Sequence, residues 1–283
     1  MPDVLKNKVA IVTGASRGIG AAIAVRFAAE GAKLVITART LDERDAIAGS
    51  LRTTEKRIRD QGGDCHVIAA DLADEAGRKA IIDGALAHYG RIDILVNNAA
   101  WARFGHTHQH ALRHIRLAFE VNTIAPLEMS RAVVPGMIAQ GGGWILNISS
   151  GTSAHPGPAP FAPDDRYVQF HQGHSPTLYG ASKIATERLV TGMAVELAGH
   201  NIAVNTLAPV EAVASEGALM VADLGGKTKL EPVEAMAEAA LALCSRPAAG
   251  LSGRLAVSLP LLKELGIAIH TLDGTRLFET PPG

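Results

Sequence analysis

At 283 residues the chain has room for one large α/β domain or two small ones. Its 47% hydrophobic and 19% charged content is an ordinary globular balance, with enough apolar material for a core. A net charge of −1 leaves no electrostatic basis for nucleic acid or an anionic membrane as partner. The two cysteines, Cys65 and Cys244, sit in apolar stretches and read as buried free thiols, which suits a reducing cytosol. Residues 1–8 are polar and mixed, no apolar run is long enough to span a bilayer, and the C-terminus carries no sorting signal, so the expectation is a cytoplasmic protein.

Strands and helices are expected to alternate from the start. Residues 8–13 (KVAIVT) form a short apolar, β-branched run, the pattern of a buried parallel strand. A helix over 19–29 follows, with Ile23, Ala24 and Phe27 on one side and Gly31 ending it. Strands are expected at 33–37, 66–70, 92–97, 144–148 and 202–207, with a short seventh at 255–259. Helices are expected at 41–61, 75–89, 111–139, 177–197 and 232–243. The third of these is expected to kink or break near Pro126 and Pro135, and the last has Pro232 at its start. This βαβα rhythm implies a single domain over 1–283, built on a doubly wound parallel sheet of about seven strands flanked by helices. Two segments interrupt it. Residues 151–176 carry five prolines, three histidines and the aromatics Phe161, Tyr167 and Phe170, and read as a long inserted loop. Residues 261–283 read as a surface extension or an oligomer contact.

The chemistry is concentrated in three places. Thr13-Gly14 closes the first strand, and Gly18-Ile19-Gly20 opens the first helix, with Ser16 and Arg17 between them. Glycines let backbone N–H groups approach a pyrophosphate, and the helix N-terminus adds partial positive charge. Asn147-Ile148-Ser149-Ser150 closes the fifth strand. Tyr179 and Lys183 then stand one helical turn apart on one face. A positive charge near a phenol favours the phenolate, which brings proton transfer closer to neutral pH.

The spacing Thr-Gly-x-x-x-Gly-x-Gly resembles that of the short-chain dehydrogenase/reductase family. The match continues in family order through Asn97-Asn98-Ala99, Asn122, Ser150, Tyr179 and Lys183, from about residue 8 to 209. The resemblance implies a Rossmann-type fold and a nicotinamide cofactor. It makes Tyr179 the general acid/base, Lys183 the group that binds the nicotinamide ribose and lowers the tyrosine pKa, Ser150 the holder of the substrate oxygen, and Asn122 the anchor of a water chain. It places Gly14, Ser16, Arg17, Gly18, Ile19, Gly20, Arg39, Asp71, Leu72, Asn98, Ala99 and Pro209 along the cofactor. Ala38 stands where NAD-preferring relatives usually carry aspartate, and Arg39 follows it, which favours NADP(H) with NAD(H) still possible. Asp71 matches the position that contacts adenine; a helix cap is the other reading.

Three departures stand out. Ala100 replaces the usual glycine after Asn97-Asn98-Ala99. After the sixth strand the family's Pro-Gly and later threonine become Pro209-Val210, with Ser215 offering a hydroxyl one position late. The 151–176 interval is longer than usual and is read either as a lid over the substrate or as a remote surface excursion. The segment after Arg39 and Pro209-Val210 resemble a hydroxysteroid-dehydrogenase-like subgroup, which does not establish a steroid substrate. His106, His108, His110 and His114 cluster after Trp101, Arg103 and Phe104, but no carboxylate or thiolate completes a ligand set, so no metal is expected. The leading expectation is NADPH-linked interconversion of a carbonyl, apolar by the aromatics of the insertion, and an alcohol. NAD-linked alcohol oxidation and a non-catalytic dinucleotide sensor are the alternatives. A homo-dimer or homo-tetramer is expected, without nucleic acid or membrane.

Overall fold

The computed structural model describes residues 3–43, 48–213 and 230–279. Seven parallel strands form one sheet in the order β3-β2-β1-β4-β5-β6-β7. They are β1 (Val9–Thr13), β2 (Lys33–Ala38), β3 (Asp64–Ala69), β4 (Ile94–Asn97), β5 (Gly143–Ile148), β6 (Ile202–Ala208) and β7 (Leu255–Val257). The order reverses between β1 and β4, and such a switch point opens a crevice at the C-terminal strand ends.

Both faces of the sheet are covered, which is why its strands are apolar throughout. Ala10 and Val12 of β1 face one layer, and Ile11 between them faces the other, as period-two alternation requires. The first layer holds α1 (Gly18–Ala29), α2 (Leu51–Asp60), α8 (Val233–Ser245) and α9 (Ser258–Leu265). The second holds α3 (Glu75–Tyr89), α5 (Ala125–Ala139) and the long α7 (Thr177–Glu196). Both thiols are buried, and burial pushes the Cys65 thiol up to about 12 and Cys244 higher still.

The structure corrects four expectations. The expected helix over 41–61 starts only at Leu51. Ser50 caps it by accepting from the Thr53 backbone N–H at 3.1 Å, and Gly49 before it has φ +96°. The helix over 111–139 is one run made of α4 (Leu112–Phe119), a π-helical turn at Glu120–Ile124, and α5. The irregularity therefore falls on Asn122 and not on the prolines. Pro126 sits in the first turn of α5, where its missing N–H is harmless. The 151–176 insertion is not structureless: it contains α6 (Arg166–His174), capped by Asp165, which accepts from the Tyr167 and Val168 N–H groups. Residues 261–279 are no loose extension. Leu261 and Leu262 are buried in the core, Ile267, Ile269 and Leu272 pack on it, and His270 bridges Leu277.

Candidate functional site

The glycine turn is shaped by what presses against it. Gly14 has φ +65°, and a Cβ there would lie 2.8 Å from the Ala99 Cα. No side chain but hydrogen fits that conformation and that distance. Asn98, at the end of β4, braces the turn: its side-chain amide donates to the Thr13 and Gly14 carbonyls at 2.9 and 3.2 Å. Thr13 Oγ1 in turn accepts from the Asn98 and Ala99 backbone N–H groups. Asn97 points the other way, donating to Asn147 Oδ1 and linking β4 to β5. Gly18, Ile19 and Gly20 form the first turn of α1, whose N-cap Arg17 makes no side-chain capping bond. The partial positive charge of that turn faces the crevice.

The crevice itself is a cleft of about 360 Å³. It is lined by Gly14, Ser16 and Arg17 from the turn, Thr37 to Thr40 from the end of β2, Asp71 and Leu72 after β3, and Asn98 to Trp101 after β4. Thr37 Oγ1 is buried and has no hydrogen-bond partner. The cleft fits the adenosine and pyrophosphate of a dinucleotide in shape and donor chemistry. Ala38 leaves the end of β2 without a carboxylate. Arg39 is largely exposed at the rim, its Nη1 3.9 Å from Asp71 Oδ2. Arg17 lies beside it, with Nη2 donating to the Gly49 carbonyl at 2.9 Å. Asp71 also accepts from the Ala73 N–H, whereas the cap of α3 is Asp74. Ala100 is exposed on the cleft wall.

The second half of the site is built by α7 lying against the end of β5. Lys183 is buried and donates from Nζ to the Ile148 carbonyl at 2.7 Å, while its Nζ lies 5.6 Å from the Tyr179 ring centroid. Burial pushes the ammonium down to about 8, opposed by the attraction of Glu187. Burial pushes the Tyr179 phenol up to about 12. In this state desolvation therefore outweighs the expected lowering of the phenol by Lys183. Ser150 leaves the sheet directly after β5, and its Oγ accepts from the Thr152 N–H at 3.2 Å and from Thr152 Oγ1 at 3.0 Å. Two incoming donors leave the serine proton free for a third partner. Ser149 instead donates to Glu187. Asn122, in the π turn, is fully engaged: its side chain accepts from the Trp101 N–H and donates to the Trp101 carbonyl and to Ser182 Oγ. Its backbone carbonyl accepts from Thr186 Oγ1 at 2.7 Å.

The inserted α6 spans three strand ends. Arg166 at its start lies 3.6 Å from Glu211, after β6. Tyr167 donates to the Ala154 carbonyl, just past Ser150. Phe170 meets Phe104 edge-to-face at 6.0 Å, and Phe104 stands 6.1 Å from the Tyr179 ring. Phe161 is exposed and takes no part in this wall. Ser175 joins α6 to α7 in a left-handed conformation, φ +50°, and its Oγ pairs with His106 Nδ1 at 3.1 Å. The histidines after Trp101 form two ring pairs: exposed His106 and His108 stack at 5.8 Å, and His110, bonded to the Gly105 carbonyl, meets His114 edge-to-face at 6.5 Å beside Trp101. Among the described residues no three His, Cys, Asp or Glu side chains are grouped to hold a metal.

Pro209 follows β6 directly, and the Val210 N–H donates to buried Glu231 at 2.7 Å. Ser215 lies outside the described residues. Glu187, Thr37 and Gly49 were not singled out in the sequence. Only Glu187 carried a signal there, since it continues the Tyr179–Lys183 spacing by one more turn.

A parallel sheet with a switch-point crevice, a glycine-rich turn and a Tyr-Lys pair defines a dinucleotide-binding oxidoreductase architecture. The chain belongs to the short-chain dehydrogenase/reductase family, whose short chain dehydrogenase model matches residues 8–162. Enzymes of this family act on CH–OH and C=O groups. The mouse hydroxysteroid dehydrogenase-like protein 2 is 32% identical over 256 residues, covering 90% of this chain. The chain spans about half of that relative, 49% of its length. The 7alpha-hydroxysteroid dehydrogenase of Escherichia coli is 31% identical over 89% of this chain and 92% of its own. Among solved structures, a metagenomic short-chain oxidoreductase in complex with NADP is 31% identical, with TM-score 0.71 over 90% of this chain and 98% of that one. A 7alpha-hydroxysteroid dehydrogenase complexed with NADH and 7-oxo glycochenodeoxycholic acid is 28% identical, with TM-score 0.76 over 90% and 94%. Among the described residues no helix is long and apolar enough to cross a membrane.

Proposed function

We propose that the protein interconverts a ketone or aldehyde and an alcohol, using NADP(H) and Tyr179 as general acid/base. The observation that carries this reading is the meeting of Tyr179 and Lys183 of α7 with the end of β5 that bears Ser150. A nicotinamide dinucleotide supplies or accepts the hydride in such chemistry. The chain supplies the rest. Tyr179, like any phenol, holds its proton at neutral pH and so can serve as acid in the reductive direction. Ser150 has its hydroxyl hydrogen available for the substrate oxygen. Lys183 holds the nicotinamide ribose, Asn122 holds the π turn beside Ser182, and Gly14 to Gly20, Asp71, Leu72, Asn98, Ala99 and Pro209 line the cofactor.

The preference for NADP(H) rests on Ala38, Arg39 and Arg17. An aspartate at Ala38 would repel a 2′-phosphate, and two guanidinium groups at one rim attract it. Fluorescence titration of the protein with NADPH and NADH tests this. Tighter NADPH binding that collapses toward the NADH value in Arg39→Ala is expected. Equal or tighter NADH binding overturns the preference and redirects the search to alcohol oxidation. Binding of either cofactor without turnover over a broad carbonyl panel favours a sensor.

The substrate proposed is apolar, because Phe104 stands beside Tyr179 and is backed by Phe170. Assembly as a dimer or tetramer is proposed through α4, α5 and α7, which expose Leu112, Ile138 and Val195. A cytoplasmic location is proposed from the two unpaired thiols.

A further inference from the structure

Tyr179, Lys183 and Glu187 stand at i, i+4 and i+8 on α7, and Lys183 and Glu187 both reach the same end of β5. Lys183 takes the Ile148 carbonyl. Glu187 Oε1 accepts from the hydroxyls of Ser149 and Ser153 together. Ser153 Oγ lies 2.7 Å from Glu187 and 2.8 Å from the Ser150 carbonyl. A hydroxyl has one hydrogen, and the charged acceptor is the stronger claimant. Ser149, the residue after β5, is still tied to β6 by its N–H on the Leu207 carbonyl, and Ser150 follows it into the turn. The carboxylate therefore grips the chain on both sides of Ser150 without touching Ser150 itself.

We propose that Glu187 is a positioning residue, which sets the turn that presents the Ser150 hydroxyl to the substrate oxygen. This rests on the reading of Ser150 and Tyr179 given above. Glutamine at this position keeps an acceptor oxygen for the two serines; alanine keeps none. A misplacement of about 1 Å in a group that meets the reacting centre costs up to ~10²-fold in rate.

The test compares Glu187→Ala, Glu187→Gln and the pair Ser149→Ala/Ser153→Ala, with Tyr179→Phe as control, in steady-state turnover over a panel of ketones and aldehydes. Nicotinamide fluorescence gives the cofactor Kd, and hydrogen exchange follows the amides of residues 149–154. Expected are a kcat lowered roughly tenfold or more in Glu187→Ala, an unchanged cofactor Kd, faster exchange confined to 149–154, and rescue of both kcat and exchange in Glu187→Gln. The serine pair is expected to reproduce the loss and to add nothing to Glu187→Ala, because both break one unit. Wild-type kcat and exchange in Glu187→Ala overturn the proposal, as does a loss that adds in full to that of the serine pair. Should Glu187→Ala fail to fold, the glutamine variant and the serine pair decide on the same readouts. Full activity in Tyr179→Phe overturns the catalytic reading instead. If the wild type turns over nothing, exchange at 149–154 still decides on Glu187.

Discussion

At the scale of single residues, the site combines buried Lys183 and half-buried Tyr179, whose pKa values are displaced in opposite directions. Tyr179 is held protonated and Lys183 is brought near neutrality, both by loss of water. Tyr179→Phe removes the transferable proton and little packing. Turnover is expected to fall by about 10²–10⁴-fold with cofactor Kd and Tm unchanged, measured by initial rates, fluorescence titration and thermal melting. Lys183 also makes a stability prediction. Its folded value of about 8 lies below the unfolded 10.5. Between those values the unfolded chain binds the proton and the folded chain does not, so stability rises with pH there. Below about 8 the cost of burying the charge is complete. Urea midpoints of wild type and Lys183→Met, followed from pH 7 to 10, are expected to converge as pH rises; a constant gap would refute the buried charge as its cause.

At the scale of elements, α7 approaches the turn after β5 so closely that one position admits only glycine. A Cβ at Gly180 would lie 2.3 Å from the Thr152 carbonyl oxygen, which is backbone and cannot swing away. Gly180→Ala is expected to cost on the order of 1–3 kcal/mol and to displace Ser150 with the turn. Chemical denaturation and kcat read the two effects, and a variant with normal kcat would show that the turn shifts independently of Ser150. The inserted α6 belongs to the same scale. Its edge-to-face contact from Phe170 to Phe104 continues to Tyr179, so Phe170→Ala is expected to raise KM for apolar carbonyls several-fold while leaving cofactor Kd unchanged. An unchanged KM across the panel would place α6 outside substrate recognition.

At the scale of the whole molecule, a buried ion cluster ties α1 to α8. Arg26 bonds Glu30 at 2.7 Å and Glu238 at 2.9 Å, and His270 of the last segment lies 3.4 Å from Glu238. Removing the cation leaves two buried carboxylates without the guanidinium that neutralises them, so Arg26→Met is expected to cost about 3–5 kcal/mol by urea denaturation. A loss of under about 1 kcal/mol would mean that water reaches the carboxylates. Residues 258–279 close the same layer, with Leu261 and Leu262 in the core. That layer is the support of the glycine turn through α1, which packs on α8 and on β1.

The alternation of strands and helices and the parallel sheet were legible in the sequence. They depend on local pattern: a β-branched run buried on both faces, glycine where backbone must come close, and i,i+4 spacing on a helix. Glu187 was legible by the same spacing, though Ser149 and Ser153 as its partners were not. What tertiary structure decided rests on groups far apart in the chain. The π turn at Asn122 lies where its side chain meets Trp101 and Ser182, and no local propensity marks that place. Helix α6 emerges from a proline-rich stretch because its aromatics find Phe104 and the Ala154 carbonyl. The displaced ionisation of Tyr179 and Lys183 also comes from folding, since desolvation depends on what surrounds a group and not on its neighbours in sequence.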